Sequence, residues 1–440
     1  MKKLLLCSMA LLLAASTALA AERVTERLDI APVWAGHPVG FCLLTDGDDQ
    51  FVAFYDADRQ MTVAQRRIPE TAWRFVRLPE TVVWDSHNSV TMDIDDAGCL
   101  HLSGNMHGKP LVYFRTREPR TIESFERIAN MIGENETKVT YPQFVHGPNN
   151  SLLFTYRDGR SGEGNQIYNV YDSKTRTWRR LLDKPLTDGE GLMNAYFDGP
   201  RLGPDGYYHL NWVWRDTSDC ATNHDLSYAR SKDLVHWETS AGAPVALPMT
   251  LHTSEIVDPS PAGGGLLNVG RRLGFDSKGN VVLSFYKYDE AGNTQAYNAR
   301  KENGAWVTRK VSDWDYRWAF SGGGTIPVEI TVGHVSFKEG EGLTQSFSHV
   351  KHGNGTWLLD EATLQPIRIL PKEKKSGPDL GPVESAFPEM KARTSRDIGP
   401  ARADGARYML RWETLGPNRD KPRDPPLPEP SMLRVYRIEE

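Results

Sequence analysis

The sequence predicts an all-β protein folded as one β-propeller, and three observations carry that prediction. Short segments rich in Val, Tyr, Phe, Trp and Thr recur along the chain, turn signals separate them, and long amphipathic helical periodicity is nearly absent. In chain order the strand-like segments are Gln50 to Tyr55, Ser89 to Ile94, Cys99 to Ser103, Leu111 to Arg115, Leu152 to Tyr156, Ile167 to Tyr171, Tyr207 to Trp212 and Val281 to Tyr286. Turns such as Asp95-Asp96-Ala97-Gly98, Pro204-Asp205-Gly206 and Asp276-Ser277-Lys278-Gly279 punctuate them. The best candidate for a helix is one short stretch, Thr121 to Ile132.

A degenerate repeat accompanies the strands. Groups tend to end on a tryptophan after a polar turn, at Trp73, Trp178, Trp237, Trp306 and Trp357, and the last four are spaced 59, 69 and 51 residues apart. Such spacing fits four-stranded blades with variable loops and predicts seven of them. A β-sandwich with an aromatic core is the alternative. Length alone suggests two or three domains, yet a closed β architecture absorbs about 420 residues as one unit, here 21–440. The tail from Pro422 to Pro430 is proline-rich and then returns to a strand-like Met432 to Ile438, which is expected to close the ring.

The first twenty residues read as a signal peptide. Lys2 and Lys3 precede an apolar run from Leu4 to Leu13, and Ala18-Leu19-Ala20 is an A-x-A cleavage site, so the mature chain is expected to start near Ala21 and to be secreted or periplasmic. Losing both lysines takes the formal net charge from −5 to −7, with 50 basic side chains against 57 acidic ones, which argues against a nucleic-acid partner. No later run reaches the roughly 18 apolar residues of a membrane helix. Cys42, Cys99 and Cys220 remain after cleavage; they allow at most one intrachain disulfide and lack C-x-x-C spacing. A monomer is expected.

The chemistry is concentrated in two polar strings, Asp85-Ser86-His87-Asn88 and Gly104-Asn105-Met106-His107, at the ends of two strand-like segments joined by the turn at Asp95 to Gly98. A hairpin brings His87 and His107 over one cleft, where an imidazole pair moves protons near neutral pH. Most histidines in β proteins are packed or solvated, and His146, His236, His334, His349 and His352 fall in that class, with His101 and His209 ordinary strand residues. Asp93, Asp95 and Asp96 lie close together but lack an EF-hand loop.

These strings, together with Val33 to Phe41, Thr140-Tyr141-Pro142 and Tyr156-Arg157-Asp158-Gly159, resemble in the same order segments of the BNR-repeat propellers that include ulvan lyases, rhamnose–glucuronate lyases and related rhamnosidases. Trp214-Arg215-Asp216-Thr217 and Asn223-His224 extend the resemblance over nearly the whole mature chain. The resemblance implies a seven-bladed propeller and a lyase site of two histidines, a tyrosine and arginines, on which His87, His107, Tyr141 and Arg157 fall, with Arg215 a further position. Packing roles compete for two of these, Tyr141 as a strand-end aromatic and Arg157 as a turn partner of Asp158. The rhamnosidase members of the group imply a separate histidine on the opposite face, where His37 falls; closing the first blade is the other role open to His37. The resemblance also permits a structural calcium, within reach of Asn223-His224-Asp225, and requires no other cofactor.

A lyase acting at the 4-position of a uronic acid must remove the C5 proton, neutralise the carboxylate and protonate the leaving oxygen. A neutral histidine is suited to the first task, Arg157 with Arg215 to the second, and the other histidine or Tyr141 to the third, with Asn88 or Asn105 adding neutral hydrogen bonds. The expected partner is an acidic, uronate-containing glycan. The leading expectation is an L-rhamnose-α-1,4-D-glucuronate lyase on arabinogalactan-type glycans. An ulvan-type endolyase, an α-L-rhamnosidase using His37 and a non-catalytic glycan-binding propeller are the alternatives. Trp34, Trp212, Trp214 and Trp314 are candidates to stack on sugar rings, although core filling is the commoner fate of tryptophan.

Overall fold

The computed structural model describes residues 22–268, 270, 272–371 and 377–439. The signal peptide expected over residues 1–20 lies outside them. Each of the eight segments read as strands contains a strand: Asp49–Tyr55, Thr91–Ile94, Leu100–Ser103, Tyr113–Thr116, Leu152–Arg160, Glu163–Asp172, Tyr208–Arg215 and Val281–Tyr288. Almost all pairing is antiparallel between consecutive strands, and the sheets curl around a common centre as propeller blades.

Among the described residues the strands form six hydrogen-bonded sheets. The largest, of eight strands, is two antiparallel meanders, Leu273–Phe275 to Ala305–Lys310 and Ile330–Lys338 to Pro366–Ile369, joined by one parallel pairing of Phe275 with Ser336. The two chain ends meet in one sheet. Arg23–Val33 pairs with Ser431–Glu439, with Leu28 opposite Val435 and Ala31 opposite Leu433, and Arg407–Thr414 and Lys391–Arg396 complete it. Met432 to Ile438, expected to close the ring, pairs with the N-terminal strand.

The repeat in this fold is a turn with an aspartate at its start. Asp56, Asp95, Asp276 and Asp289 each accept, through Oδ1, the amides two and four residues ahead, at 2.8–3.1 Å. The carboxylate supplies acceptors that the tight turn denies its own amides. The residue three ahead takes a left-handed conformation, with φ of +82° at Gly98, +78° at Gly279 and +81° at Gly292; Arg59 holds that place in the first copy.

Thr121 to Ile132 is not a helix. A short 3-10 turn at Ile122–Ser124 leads directly into a strand, Phe125–Arg127, which pairs with Tyr113–Thr116. The edge of the preceding strand offers ladder partners at once, and one turn buries Ile122 completely. Cys42, Cys99 and Cys220 are free, buried thiols, so no disulfide forms among them. Trp212, Trp214 and Trp314 are buried core residues rather than sugar platforms. Trp34 packs edge-on against Trp84, with ring centroids 4.9 Å apart. No helix among the described residues is long and apolar enough to cross a membrane.

The sheet that joins the two chain ends contributes to the apolar core. Leu433 is fully buried in it and packs in the same apolar cluster as Val33 and Leu410. Leu433→Ala is expected to cost about 2–5 kcal/mol, whereas Leu427→Ala in the exposed proline-rich loop should stay within about 0.5 kcal/mol, both read by denaturant unfolding.

Candidate active site

The hairpin that carries the two histidines closes as its turn dictates. Thr91 pairs with Ser103 and Ile94 with Leu100 around Asp95 to Gly98, so the chain leaves both strands at the same end. Gly104 keeps the exits close: a Cβ there would lie 2.9 Å from the Ser89 carbonyl oxygen and 3.0 Å from Val90 Cα. His87 and His107 then face each other with ring centroids 4.4 Å apart.

One carboxylate holds both rings. Asp85 Oδ1 lies 2.7 Å from His87 Nδ1 and Oδ2 lies 2.7 Å from His107 Nδ1, and Oδ1 also accepts the His87 amide at 2.9 Å. Burial pushes the Asp85 carboxyl up, but the bonds from His107 and His87 outweigh it and hold it well below the usual carboxylate range. An ionised carboxylate only accepts, so each neutral ring places its proton on Nδ1 and leaves Nε2 as a free acceptor.

Tyr141 reaches the pair through a break in its strand. In Val139–His146, Thr140 pairs with Arg157 and Gln143 with Thr155, so Tyr141 and Pro142 together oppose one residue. Pro142 has no amide to give to the ladder, and Tyr141 takes a φ of +54°. Its ring lies 5.6 Å from that of His87 and 5.7 Å from that of His107. Burial, then Tyr196, raises the Tyr141 phenol above the ordinary tyrosine range.

Arg157 is the neighbouring cation. It is 3 % exposed, and none of its three guanidinium nitrogens has a hydrogen-bond partner among the described residues, so it does not pair with Asp158. Its Cζ lies 4.9 Å from the Tyr141 ring centre and 5.2 Å from that of Tyr196. Gly164 makes room for it, since a Cβ there would sit 2.8 Å from Arg157 Cγ. Tyr141, Gln143, Arg157, Tyr196, Arg201 and Asn268 are among the residues lining a cavity of about 480 Å³ that contains no Asp or Glu. A buried, unpaired guanidinium is costly, and an acid-free cavity beside it suits an anionic ligand.

The other expected residues divide. Arg215 donates through Nε to the Thr217 carbonyl at 3.0 Å, through a terminal nitrogen to the Ser218 carbonyl, and at 3.4 Å to the Tyr196 hydroxyl. It is thus a support for Tyr196 rather than a free carboxylate clamp. Asn88 is buried with an unpartnered Oδ1, and its main-chain carbonyl accepts from Tyr55 at 2.6 Å. Asn105, at φ +60°, spends its amide on Glu80 and the Thr81 carbonyl and so shapes the turn into His107.

His37 does not open onto a face of its own. It is 1 % exposed, and its Nε2 lies 3.2 Å from Asp420 Oδ1. Asp420, just before the proline-rich stretch, also accepts from the Ser86 amide at 3.0 Å, the Ser86 hydroxyl at 2.8 Å and the Thr325 amide at 2.9 Å, and its Oδ2 lies 3.5 Å from His87 Nδ1. His37 therefore stands behind His87 in one polar network. Its expected separate site on the opposite face is corrected by this burial. Asp85 as the common tether, Tyr196 and Asp420 were not singled out from the sequence. Asp85 stood inside a recognised string; Asp420 lies 334 residues from Ser86 and left no local signal.

Two sets could be asked to hold a metal. Asp85, His87 and His107 each offer one atom within 4.8 Å of the others. Their 2.7 Å separations are those of hydrogen bonds between ring N–H and carboxylate. Near the expected calcium position, His224 is instead clamped between Asp225 Oδ2 at 2.7 Å and Asp216 Oδ1 at 2.9 Å. These two acids are engaged with a histidine, while the Oδ1 of Asn223 in the same string is buried without a partner.

The fold and these motifs define the class of protein. Residues 49–314, more than half of the chain, match the model of the BNR repeat-containing family, and the chain belongs to that family. Among solved structures it is similar to the polysaccharide lyase Uly1, with 12 % identity, a TM-score of 0.59 and coverage of 94 % of this chain and 99 % of that one. It is also similar to an ulvan lyase of polysaccharide lyase family PL25, at 14 % identity, a TM-score of 0.56 and coverage of 89 % and 97 %, and to the same lyase type bound to -[GlcA(1-4)Rha3S]-, at 15 % and 0.56. No curated protein sequence matches the chain.

The Asp85 tether predicts a tautomer. Nitrogen-15 NMR of the neutral protein is expected to show protonated Nδ1 and bare Nε2 for His87 and His107, and Asp85→Asn to shift both rings away from that single state.

Proposed function

We propose that this protein is a polysaccharide lyase that cleaves a 4-linked glucuronate by β-elimination and needs no metal or other cofactor for the chemistry. The observation that carries the reading is a buried, unpaired Arg157 that meets the Tyr141 ring, which in turn packs against two imidazoles that one carboxylate turns Nε2-outward.

The residues divide the work as follows. Arg157 pairs with the C6 carboxylate and takes up the charge that grows on it as the C5 proton leaves. A bare Nε2 of the histidine pair removes that proton, and Asp85 stabilises the imidazolium that results. Burial keeps the Tyr141 phenol protonated at neutral pH, so Tyr141 can deliver a proton to the departing O4; the second histidine serves as that donor only in its imidazolium form. The elimination leaves a C4–C5 double bond on the uronate and a free hydroxyl on the neighbouring sugar.

Two substrates fit this chemistry. One is terminal rhamnose linked to position 4 of glucuronate on arabinogalactan-type glycans; the other is ulvan, favoured by likeness to a lyase type solved with a glucuronate–sulfated rhamnose ligand. Both are polymers met outside the cytoplasm, in keeping with export. Hydrolysis through His37 is disfavoured by its burial behind His87.

Ultraviolet absorbance of the unsaturated uronate tests the reading. The band should grow when the protein meets ulvan or gum arabic-type arabinogalactan; released sugar without the band means hydrolysis, and glycan binding without product means a binding module. Free rhamnose marks the first substrate and unsaturated oligosaccharides the second. His107→Ala is expected to lower kcat by about 10²–10⁴-fold and Arg157→Ala by about 10²–10³-fold. Treatment with EDTA should leave the rate unchanged.

A further inference from the structure

Tyr196 has no part in the steps above, yet it stands between both arginines of the site. It lies on Asn194–Leu202 and is 8 % exposed. Its ring centre is 5.2 Å from Arg157 Cζ and 5.3 Å from Arg215 Cζ, and its hydroxyl is 2.5 Å from Ser161 Oγ and 3.4 Å from an Arg215 nitrogen. The groups facing it from the adjoining strands are Arg157, Arg215 and the Tyr141 phenol, whose ring centre is 6.4 Å away. Arg272 donates to its main-chain carbonyl at 3.3 Å. No carboxylate lines the cavity that Tyr141, Arg157 and Tyr196 share.

Three phenols line the cavity, and burial raises those of Tyr141 and Tyr168; Tyr196 alone of the three has two guanidiniums around it. We propose that Tyr196 sets the charge of the carboxylate pocket: as a phenol it leaves Arg157 free for the sugar acid, and as a phenolate it becomes the internal counterion of Arg157 and Arg215 and weakens binding of that acid. The ionisation releases one proton to solvent and forms no new covalent bond. Burial acts to raise the phenol, but Arg157 and then Arg215 outweigh it and hold Tyr196 below the ordinary tyrosine range, while its neighbour Tyr141 is raised. Two like groups in one cavity are thereby pushed in opposite directions, and only Tyr196 is placed to ionise first. Tyr196 is in this sense a positioning residue that acts through Arg157, and the inference rests on the anion-binding half of the proposed function.

Two measurements on the mature chain test it. A tyrosinate difference-absorbance titration should show one tyrosine ionising below the ordinary range, absent in Tyr196→Phe, which keeps the aromatic face over both guanidiniums. Calorimetry with D-glucuronate as the probe should show Kd rising above that transition with a limiting slope of about tenfold per pH unit, the signature of one proton lost, and Tyr196→Phe should remove the slope. Ser161→Ala, which takes away the bond to the phenolate oxygen, should move both transitions to higher pH together. The proposal is overturned if no tyrosine ionises early, or if wild type and Tyr196→Phe share the same pH course. The two readings fail separately: glucuronate bound with this pH course but no unsaturated product removes the lyase, whereas product formed with a KM indifferent to Tyr196→Phe removes the role of Tyr196.

Discussion

The Asp85 carboxylate, accepting one hydrogen bond from each of two imidazoles, is the interaction on which the candidate site depends. It decides where the protons of His87 and His107 sit, and therefore which nitrogens face the cleft. Without it the rings, with centroids 4.4 Å apart, would have no common acceptor to fix their orientation. Asp420 backs the arrangement from the far side, binding Ser86 and His37 and approaching His87. Two carboxylates thus flank one histidine, and both are held well below the usual carboxylate range by the donors they meet once burial is outweighed.

The arginine half of the site obeys a different constraint. Arg157 is buried against the faces of Tyr141 and Tyr196, and such contacts contribute about 0.5–2 kcal/mol each. Ring faces leave the N–H edge of a guanidinium free. The fold therefore holds a cation in place without satisfying its donors, an arrangement that favours a planar anion arriving from the cavity. Arg215 shows the contrast: it is also buried but tied to two main-chain carbonyls, and its charge acts on Tyr196.

The fold was legible because its signals are local. Alternation, aromatic content and turn residues lie within a few positions of one another, and each of the eight strands read from them contains a strand. The tryptophan spacing was only the visible edge of the repeat; its working part is the aspartate turn shared by Asp56, Asp95, Asp276 and Asp289. The apolar spacing of Thr121 to Ile132 suits either a helix or a turn entering a strand, and a waiting strand edge settles the choice.

For the site, the chain itself determined which residue types were present and that His87 and His107 would meet, since the hairpin between them is a local structure. It also carried, in strings resembling known propellers, the positions of Tyr141 and Arg157. Tertiary structure alone decided that Asp85 tethers both rings, that Asp420 and His37 stand behind His87, that Arg157 is unpaired while Arg215 is spent on its own loop, and that Tyr196 comes between them. The Asp420 contacts join segments 334 and 383 residues apart, and the others turn on how side chains are placed once the strands pack, which leaves no periodicity or spacing in the chain for local reasoning to find.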